Sequence, residues 1–498
     1  MSRFIPSPQT LAGSARVRRG VAALVATGAM LVCLYYFCPR FSLWRGLDVV
    51  ESNFNPEVNR AQDVLRQVDH PFAPIENLSN KVIRWRLLFP LVWHALSLPR
   101  RTLLAVPWVG VWLTLMVVAA WALRQTGNLP AALAITVLAG SMSWFFVSTG
   151  WLAYYDSWLM LALVVLTFQR NRGLVLATCF LAPWIDERLV FEFPLIWALR
   201  AAEYGGDGRR RLAREAAAES LAVAPYLALR CALLLSGRDV QAREYLASIA
   251  FDHRISWMTQ GFWESMRAGW VAILGAALAF WRRHRRRELA AIAAGAGIAL
   301  ALNNHFAGDV GRTTSVLLPL LLFAGLECLR ADPRRGVRLL GALAVINLVL
   351  PARNYFLGWS LPVYYFPREW ERWNNPPLEV DPKFYLFRGM DALKQSDPVK
   401  AEHFFTVALQ LDPGLASAHY QLGLLASQRR DWTRAQACFD AALASDPRAP
   451  DPWFWRALAK GEQHDRAGER RDLEQALRVA PSDWPGRQAA NNVLATLP

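Results

Sequence analysis

Residues 154–199 read YYDSWLMLALVVLTFQRNRGLVLATCFLAPWIDERLVFEFPLIWAL. An apolar run follows Asp156, and two further apolar runs flank the charged triplet Asp186, Glu187 and Arg188. Ionisable residues among segments of this kind are costly in lipid, so they mark either a functional site or a polar turn at the membrane face. The stretch is compatible with both interpretations.

The rest of the chain repeats this apolar pattern. Of its 498 residues, 54% are hydrophobic, and they cluster in runs close to membrane-spanning length. The pattern predicts an all-α, polytopic membrane protein with about eleven spans. We place them at 21–37, 103–123, 130–149, 157–169, 173–185, 189–202, 217–236, 263–281, 288–306, 313–330 and 337–358.

The positive charge predicts how these spans are oriented. The net charge is +15, but the arginines lie in short clusters between apolar runs, at 16–19, 170–172, 209–214, 282–287 and 330–338. Such clusters stay on the cytoplasmic side, so they indicate topology and no nucleic-acid partner. We therefore expect a cytoplasmic (inner) membrane protein with a cytoplasmic N-terminus. A first extracytoplasmic loop at 39–101 and an extracytoplasmic C-terminal domain follow.

Two segments leave the topology open. Residues 84–99 are apolar but short and interrupted, which favours a helix lying in the membrane interface. A break at Asp186 to Arg188 keeps these charges at the membrane face. In the rival topology, 84–99 spans the membrane and 173–200 form one long helix, which would bury the three charges near mid-bilayer. We favour the broken segment because each buried charge costs a few kcal/mol.

The chain changes character after the last predicted span. The polytopic domain covers 1–358, a Trp- and Pro-rich connector covers 359–380, and a polar region with an internal period of 34 covers 381–498. The period relates these residues: Gly389 and Gly423; Ala401 and Ala435; Phe405, Phe439 and Leu473; Ala408, Ala442 and Ala476; Pro413, Pro447 and Pro481.

These offsets, with Trp453 as an early aromatic, resemble the tetratricopeptide (TPR) repeat. The resemblance implies helical hairpins in which small residues let two helices approach, an aromatic fills the gap and proline ends the second helix. The third unit departs most, with Ala457 in place of glycine and Glu469 in place of alanine, as in a capping unit. A TPR domain implies a protein partner on the extracytoplasmic side.

The predicted topology brings polar residues to one face. A carboxylate at an apolar surface can act as a general base, and an arginine can bind a phosphate through two hydrogen bonds. Simpler interpretations remain: Asp156 as a helix N-cap, the triplet as a turn, and Asp309 paired with Arg312 across a turn. The set comprises Asp156, Asp186, Glu187, Arg188, His305, Asp309 and Arg312, with acids of the first loop.

The layout resembles membrane glycosyltransferases of the GT-C superfamily, which combine many spans with a long acidic first loop and sometimes a C-terminal repeat domain. The resemblance implies a polyprenyl-phosphate-linked sugar as donor and membrane lipid as surroundings. It also implies a carboxylate base in the first loop, where Asp48 and Glu51 lie. With the outward-facing set, the candidate catalytic carboxylates are Asp48, Glu51, Asp156, Asp186 and Glu187, and the candidate ligands of the donor phosphate are Arg188, Arg312 and His305. The acids after the first span are scattered here, unlike the compact pair of the family.

No metal site is expected, since the six cysteines show no metal-ligand spacing. Two other functions are compatible with the sequence. The membrane part could anchor a TPR scaffold used in envelope assembly or export. A transporter or polysaccharide polymerase would fit the broken segment at 173–200, although the halves show no inverted repeat.

Overall fold

The computed structural model describes residues 15–44, 47, 56–75, 83–204, 208–236, 255–306, 309–356, 359–374, 381–394 and 396–497. Apart from one two-stranded sheet, the described secondary structure is helical, which confirms the predicted all-α class. The chain divides into two compact units. The first comprises the described residues of Met1–Phe41 and Pro56–Glu371, and the second those of Ser42–Asn55 and Arg372–Pro498.

Helices of very different lengths build the first unit. Its α-helices are Ala15–Tyr36, Pro56–Asp69, Leu88–Ala95, Val106–Thr126, Leu129–Gly140, Ser143–Gly150, Asp156–Phe168, Arg172–Leu181, Phe193–Tyr204, Arg209–Leu235, Ile255–Met266, Gly269–Arg282, Arg286–Phe306, Val310–Thr314, Leu318–Ala331 and Pro333–Val349. The short helix Phe41–Trp44 begins with the last residue of the stretch Met1–Phe41 of the first unit and continues into the second. Short 3₁₀ helices adjoin them, among them Arg100–Ala105, Ala182–Trp184, Glu187–Glu192 and Ser315–Leu317.

Several of these helices are long and apolar enough to cross a membrane. Among the described residues four pass this test, and a fifth span results if the bent pair Leu129–Gly140 and Ser143–Gly150 counts as one. The four are Arg16–Tyr36, Arg100–Thr126, Arg209–Leu235 and Val310–Ala331. By this measure the prediction of about eleven spans is wrong, because apolar composition does not reveal where a helix stops.

Local breaks explain the shortfall. The chain bends by 61° between Leu129–Gly140 and Ser143–Gly150, and Asp156–Phe168, Arg172–Trp184 and Gly269–Arg282 are apolar but short. Within 173–200, the helix Arg172–Leu181 gives way to a 3₁₀ turn containing Pro183, and Phe193–Tyr204 begins separately. The single long helix of the rival topology is therefore wrong, since proline and a capping acid interrupt it.

Apolar side chains both fill the first unit and cover its outside. One continuous core includes Leu115, Trp144 and Leu163, all fully or almost fully buried. On the candidate spans, in contrast, Leu24 and Leu221 are each 75% exposed. Large apolar residues exposed on a long helix are expected where lipid is the solvent.

The segment after the last candidate helix differs from the prediction. The helix Pro333–Val349 ends well before 358, and Ala352–Phe356 pairs antiparallel with Trp359–Val363. Pro351 explains the early end, because a residue before proline is disfavoured in the α conformation and Leu350 is extended. The predicted connector thus contains a strand and the helix Phe366–Asn374.

Helices of similar length follow one another in the second unit. They are Pro382–Lys394, Pro398–Leu411, Ala416–Gln428, Trp432–Ser445, Pro450–Glu462, Arg466–Val479 and Arg487–Thr496. Gly389 lies against Phe405, and Gly423 lies against Phe439; a Cβ on either glycine would sit 2.4 Å from the phenyl ring. A small residue facing an aromatic is the kind of contact that the TPR resemblance implies. In the next pair, Gly461 lies against Glu469.

The same period governs the helix starts, which the sequence interpretation missed. Asp397, Asp431 and Asp465 each accept a backbone hydrogen bond as N-caps of the second helix in their pair. The residue before each cap, at 396, 430 and 464, has a positive φ of 60–65°. An aspartate after a tight reversal fixes where the next helix begins.

Candidate functional site

The site is built around the first turn of helix Asp156–Phe168. Ser157 Oγ donates to the Pro107 carbonyl at 2.7 Å, and Thr114 Oγ1 donates to the Ser157 carbonyl at 2.8 Å. The neighbouring helix approaches closely at Gly110, where a Cβ would lie 2.5 Å from Ser157 Oγ. These contacts hold the helix start, and with it Asp156, which is 1% exposed.

Arg188 connects Asp156 to the charged triplet. Its guanidinium binds Asp186 through two hydrogen bonds, Nε to Oδ1 at 2.9 Å and Nη2 to Oδ2 at 2.6 Å. The same Nη2 donates to Asp156 Oδ1 at 2.5 Å. Asp186 also caps the 3₁₀ helix Glu187–Glu192 by accepting from the Arg188 backbone N–H. The triplet is therefore both a turn and the centre of a buried ion-pair network.

Arg86 closes the network from another part of the chain. It lies just before the helix Leu88–Ala95, in the predicted first loop. Its Nη1 donates to Asp186 Oδ2 at 3.0 Å, and its Nε and Nη2 bind the two carboxylate oxygens of Glu187 at 3.0 and 2.9 Å. Asp186 and Glu187 are thus each bound by arginine through paired hydrogen bonds, a strong charge-assisted arrangement.

Asp309 and Arg312 enter the site at the start of the short helix Val310–Thr314. Asp309 Oδ1 accepts the Arg312 backbone N–H at 3.1 Å, as an N-cap does. The Arg312 side chain points instead to Asp156, with Nε 3.4 Å from Oδ1. The predicted pairing of these two side chains across a turn is therefore replaced by a backbone cap and a longer-range ion pair.

Tyr154 lies between two arginines. The Arg60 guanidinium is 4.0 Å from its ring centroid and the Arg312 guanidinium 5.1 Å, within cation–π range. Arg60 comes from helix Pro56–Asp69 and donates to the Ala153 carbonyl at 3.2 Å. Ala153 has a φ of 60°, an uncommon conformation for a residue with a Cβ. This strained turn places Tyr154 and Asp156 side by side.

Burial and neighbouring charges shift the pKa values of Asp186 and Asp309 in opposite directions. Burial opposes ionisation of Asp186, but Arg188 and Arg86 outweigh it and hold the pKa of its carboxyl below the ordinary range. Burial raises the pKa of Asp309 to about 6, and Arg312 offsets only part of this effect. Asp186 is therefore a permanent anion, whereas Asp309 exchanges its proton near neutral pH.

Three polar atoms of the network have no hydrogen-bond partner in the part of the chain that the structure describes. They are Arg188 Nη1, Arg312 Nε and Asp309 Oδ2, and all three are buried. Arg188 also acts electrostatically on Asp309, so the two groups belong to one charge cluster. Buried polar groups of folded proteins are nearly always paired, so an unpaired donor and acceptor suggest a bound polar group.

The structure therefore brings together most residues of the predicted set. Asp156, Asp186, Glu187, Arg188, Asp309 and Arg312 all belong to the network. Asp48 and Glu51 lie outside the described residues, as does the side chain of His305. Sequence reasoning missed Arg60, Arg86 and Tyr154 as members, and two of these, Arg60 and Arg86, come from the predicted first loop.

The described residues were also compared with the ligand groups that a metal ion requires. Among the described residues no three His, Cys, Asp or Glu side chains form a group that could hold one. Comparison with known proteins gives no further guide: no protein-family model matches the chain, and no curated protein is significantly similar to it in sequence.

Proposed function

We propose that this chain is a membrane glycosyltransferase that transfers a sugar from a polyprenyl-phosphate donor at the extracytoplasmic face. One observation carries the proposal. A buried carboxyl oxygen of Asp309 and a guanidinium nitrogen of Arg188 both lack partners within one charge cluster of the described chain. An acid that titrates near neutral pH beside arginines is what a hydroxyl acceptor and a phosphate leaving group require.

Asp309 is the base in this scheme. Its carboxylate removes the proton from an acceptor hydroxyl as that oxygen attacks the anomeric carbon of the sugar. The bond between the anomeric carbon and the phosphate oxygen breaks, and polyprenyl phosphate leaves with the electron pair. A pKa of about 6 leaves Asp309 ionised at neutral pH yet basic enough to accept the proton.

The arginines bind the phosphate. Arg312 is the more available, because within the described parts of the chain its one ion pair is the 3.4 Å contact with Asp156. Arg188 is held by Asp156 and Asp186, so only its Nη1 is free to donate to a ligand. In this scheme Asp156, Asp186 and Glu187 position arginines and are not bases, because their charges are already neutralised.

The experiment compares strains that carry the full-length chain with single substitutions. The acceptor is unidentified, so the readout is the glycan and glycolipid profile of the host against that of a deletion strain. Asp309→Asn keeps the size of the side chain but removes the base, and we expect it to reproduce the deletion profile at normal protein levels. For wild type, transfer assayed with a polyprenyl-phosphate hexose should rise through pH 6 and then level off.

Glu264→Gln is the matched control. Glu264 is buried, lies outside the network and accepts the Arg353 backbone N–H at 3.2 Å, a hydrogen bond that glutamine can also accept. We expect the wild-type profile. An unchanged profile for Asp309→Asn would overturn the assignment of the base. If Asp48→Asn or Glu51→Gln alone gave the deletion profile, the base would lie in the first loop, as the GT-C resemblance implies.

A second candidate function is a membrane-anchored scaffold with a TPR domain, and a groove in the second unit favours it. A cavity of about 440 Å³ lies there, lined by Trp432, Trp455, Leu424 and Leu458 among others. Large aromatic residues in a groove are typical of peptide-binding surfaces. Trp432→Ala with Trp455→Ala in the full chain would then change the cross-linked partners, while Asp309→Asn left the host glycans unchanged.

A further inference from the structure

A second polar cavity lies at the other end of helix Asp156–Phe168. It has a volume of about 510 Å³ and is lined by the ends of four helices. The ion-pair network sits at the start of that helix and this cavity at its end, roughly 18 Å further along at 1.5 Å per residue. The two sites are therefore distinct. Five arginines line the cavity: Arg170, Arg172, Arg200, Arg211 and Arg214.

The acids in and around the cavity are already engaged. Glu219 binds Arg200, a pair that is almost fully buried. Glu215 accepts from Arg211 Nε at 2.8 Å and from the Tyr204 hydroxyl at 2.9 Å. Outside the lining, Glu203 accepts from Arg170 at 2.6 Å. Each nearby carboxylate is therefore matched to an arginine that it already neutralises.

Two arginines remain without an acid. Among the described residues, Arg172 has no ion-pair or hydrogen-bond partner for its side chain, and Arg214 donates only to the Arg210 carbonyl of its own helix at 3.3 Å. Five arginines against Glu215 and Glu219 leave an excess of positive charge on the lining. Such a concave, cationic site favours an anion, and arginine forms paired hydrogen bonds with phosphate.

The remaining wall is apolar. Val175, Leu176, Ala217 and Ala218 line it. On the outside of the same two helices, Leu174 is 44% exposed and Leu221 75% exposed. One of these helices, Arg209–Leu235, is long and apolar enough to span a membrane, and the cavity lies at its arginine-rich end. A molecule bound in the cavity would therefore contact arginines at one end and an apolar surface that continues to the lipid-facing side of the helices.

We propose that this cavity binds the phosphate headgroup of an anionic phospholipid, with Arg172 and Arg214 as its principal ligands. The acyl chains lie along the exposed apolar face that includes Leu221. The arginine clusters predict that this end faces the cytoplasm, where anionic headgroups and basic pockets between spans meet. The inference is independent of the glycosyltransferase proposal, because it uses neither Asp309 nor the ion-pair network.

The test is native mass spectrometry of the full chain in a neutral detergent, titrated with phosphatidylglycerol, with phosphatidylcholine or with inorganic phosphate. The test variant is Arg172→Gln with Arg214→Gln. The control is Arg335→Gln with Arg338→Gln, which removes the same charge from an exposed cluster away from the cavity. We expect wild type and control to retain phosphatidylglycerol, and the test variant to bind it at least about tenfold more weakly.

Each other outcome overturns part of the inference. Equal retention by the two double variants would mean that the cavity does not select the lipid. Equal binding of phosphatidylcholine would remove the requirement for an anionic headgroup. Saturable binding of inorganic phosphate without lipid retention, lost in the test variant, would assign the cavity to a soluble phosphate compound. Thermal unfolding in lipid-free detergent verifies that the test variant is folded, since both arginines are exposed.

Discussion

The two compact units pair their buried charges over different distances in the sequence. In the first, Asp156, Asp186 and Arg188 are 1–3% exposed and neutralise one another. In the second, the buried Asp472 pairs with Arg456, 16 residues away, and the contact of Gly423 with Phe439 also spans 16 residues. These contacts of the second unit are therefore local in sequence, whereas the ion pairs of the first join segments as far apart as Arg86 and Asp186.

The comparison also bears on the choice of the ion-pair network as the candidate functional site. A buried ion pair contributes little net stability, because removing two charges from water offsets most of their attraction. A network that contains four arginines and that links 60, 86, 156, 188 and 312 is therefore better explained by a polar ligand than by stability alone. The glycine–aromatic contacts need no such explanation.

The largest effect is expected for Arg188→Leu. It leaves Asp156 without its closest ion-pair partner and removes both hydrogen bonds to Asp186, so the fold should lose about 3–5 kcal/mol. The measurement is thermal unfolding of the full chain in detergent. Arg335→Leu is the control, because that side chain is 89% exposed and its loss should stay within about 0.5 kcal/mol. Equal midpoints for the two variants would contradict the importance of the network.

A pH effect of about 3 kcal/mol is expected from Asp309. Its pKa is about 6 in the folded chain and 3.8 ordinarily, so the folded state holds the proton more tightly between these values. Stability conferred by this group therefore falls as the pH rises from about 4 to 6. Asp309→Asn should abolish this fall. As the pH rises from about 4 to 6, the unfolding midpoint of the variant should therefore increase relative to that of wild type. A constant difference across the window would show that Asp309 is not the titrating group.

Gly423→Ala tests the helix packing of the second unit. The new Cβ would sit 2.4 Å from the Phe439 ring, and overpacking of this kind costs about 1–3 kcal/mol. Gly414→Ala is the control, since its nearest neighbour, Asp412 Oδ1, is at an ordinary 3.4 Å. Hydrogen exchange of the full chain should show faster opening of Ala416–Gln428 and Trp432–Ser445 in the first variant. Similar exchange in both variants would mean that the two helices separate without penalty.

The smallest effect is expected at a helix cap. Asp431→Ala removes the acceptor of the Arg434 backbone N–H and should cost about 1 kcal/mol. Faster amide exchange in the first turn of Trp432–Ser445 is the readout. Glu474→Ala, an exposed mid-helix change, should leave exchange there unaltered. No change in the cap variant would argue that the start of the helix is fixed by tertiary packing.

The amino-acid sequence by itself determined the helical class, the presence of candidate membrane spans and the periodic contacts of the second unit. These depend on residues close in sequence: Gly423 lies against Phe439, only 16 residues further along the chain. The lengths of the apolar runs gave the wrong number of spans, because Pro183 and the bend after Gly140 end helices inside apolar sequence.

Only the tertiary structure decided the partners of the buried charges. Asp156, Asp186 and Arg312 could be grouped from topology, but Arg86 lies 100 residues from Asp186 and carries no local signal. Which arginine neutralises which acid depends on distances of a few ångströms. So does the finding that Asp309 Oδ2 has no hydrogen-bond partner among the described residues, whereas both carboxylate oxygens of Asp186 have one. Coulomb energies vary steeply over such distances, whereas sequence spacing does not record them.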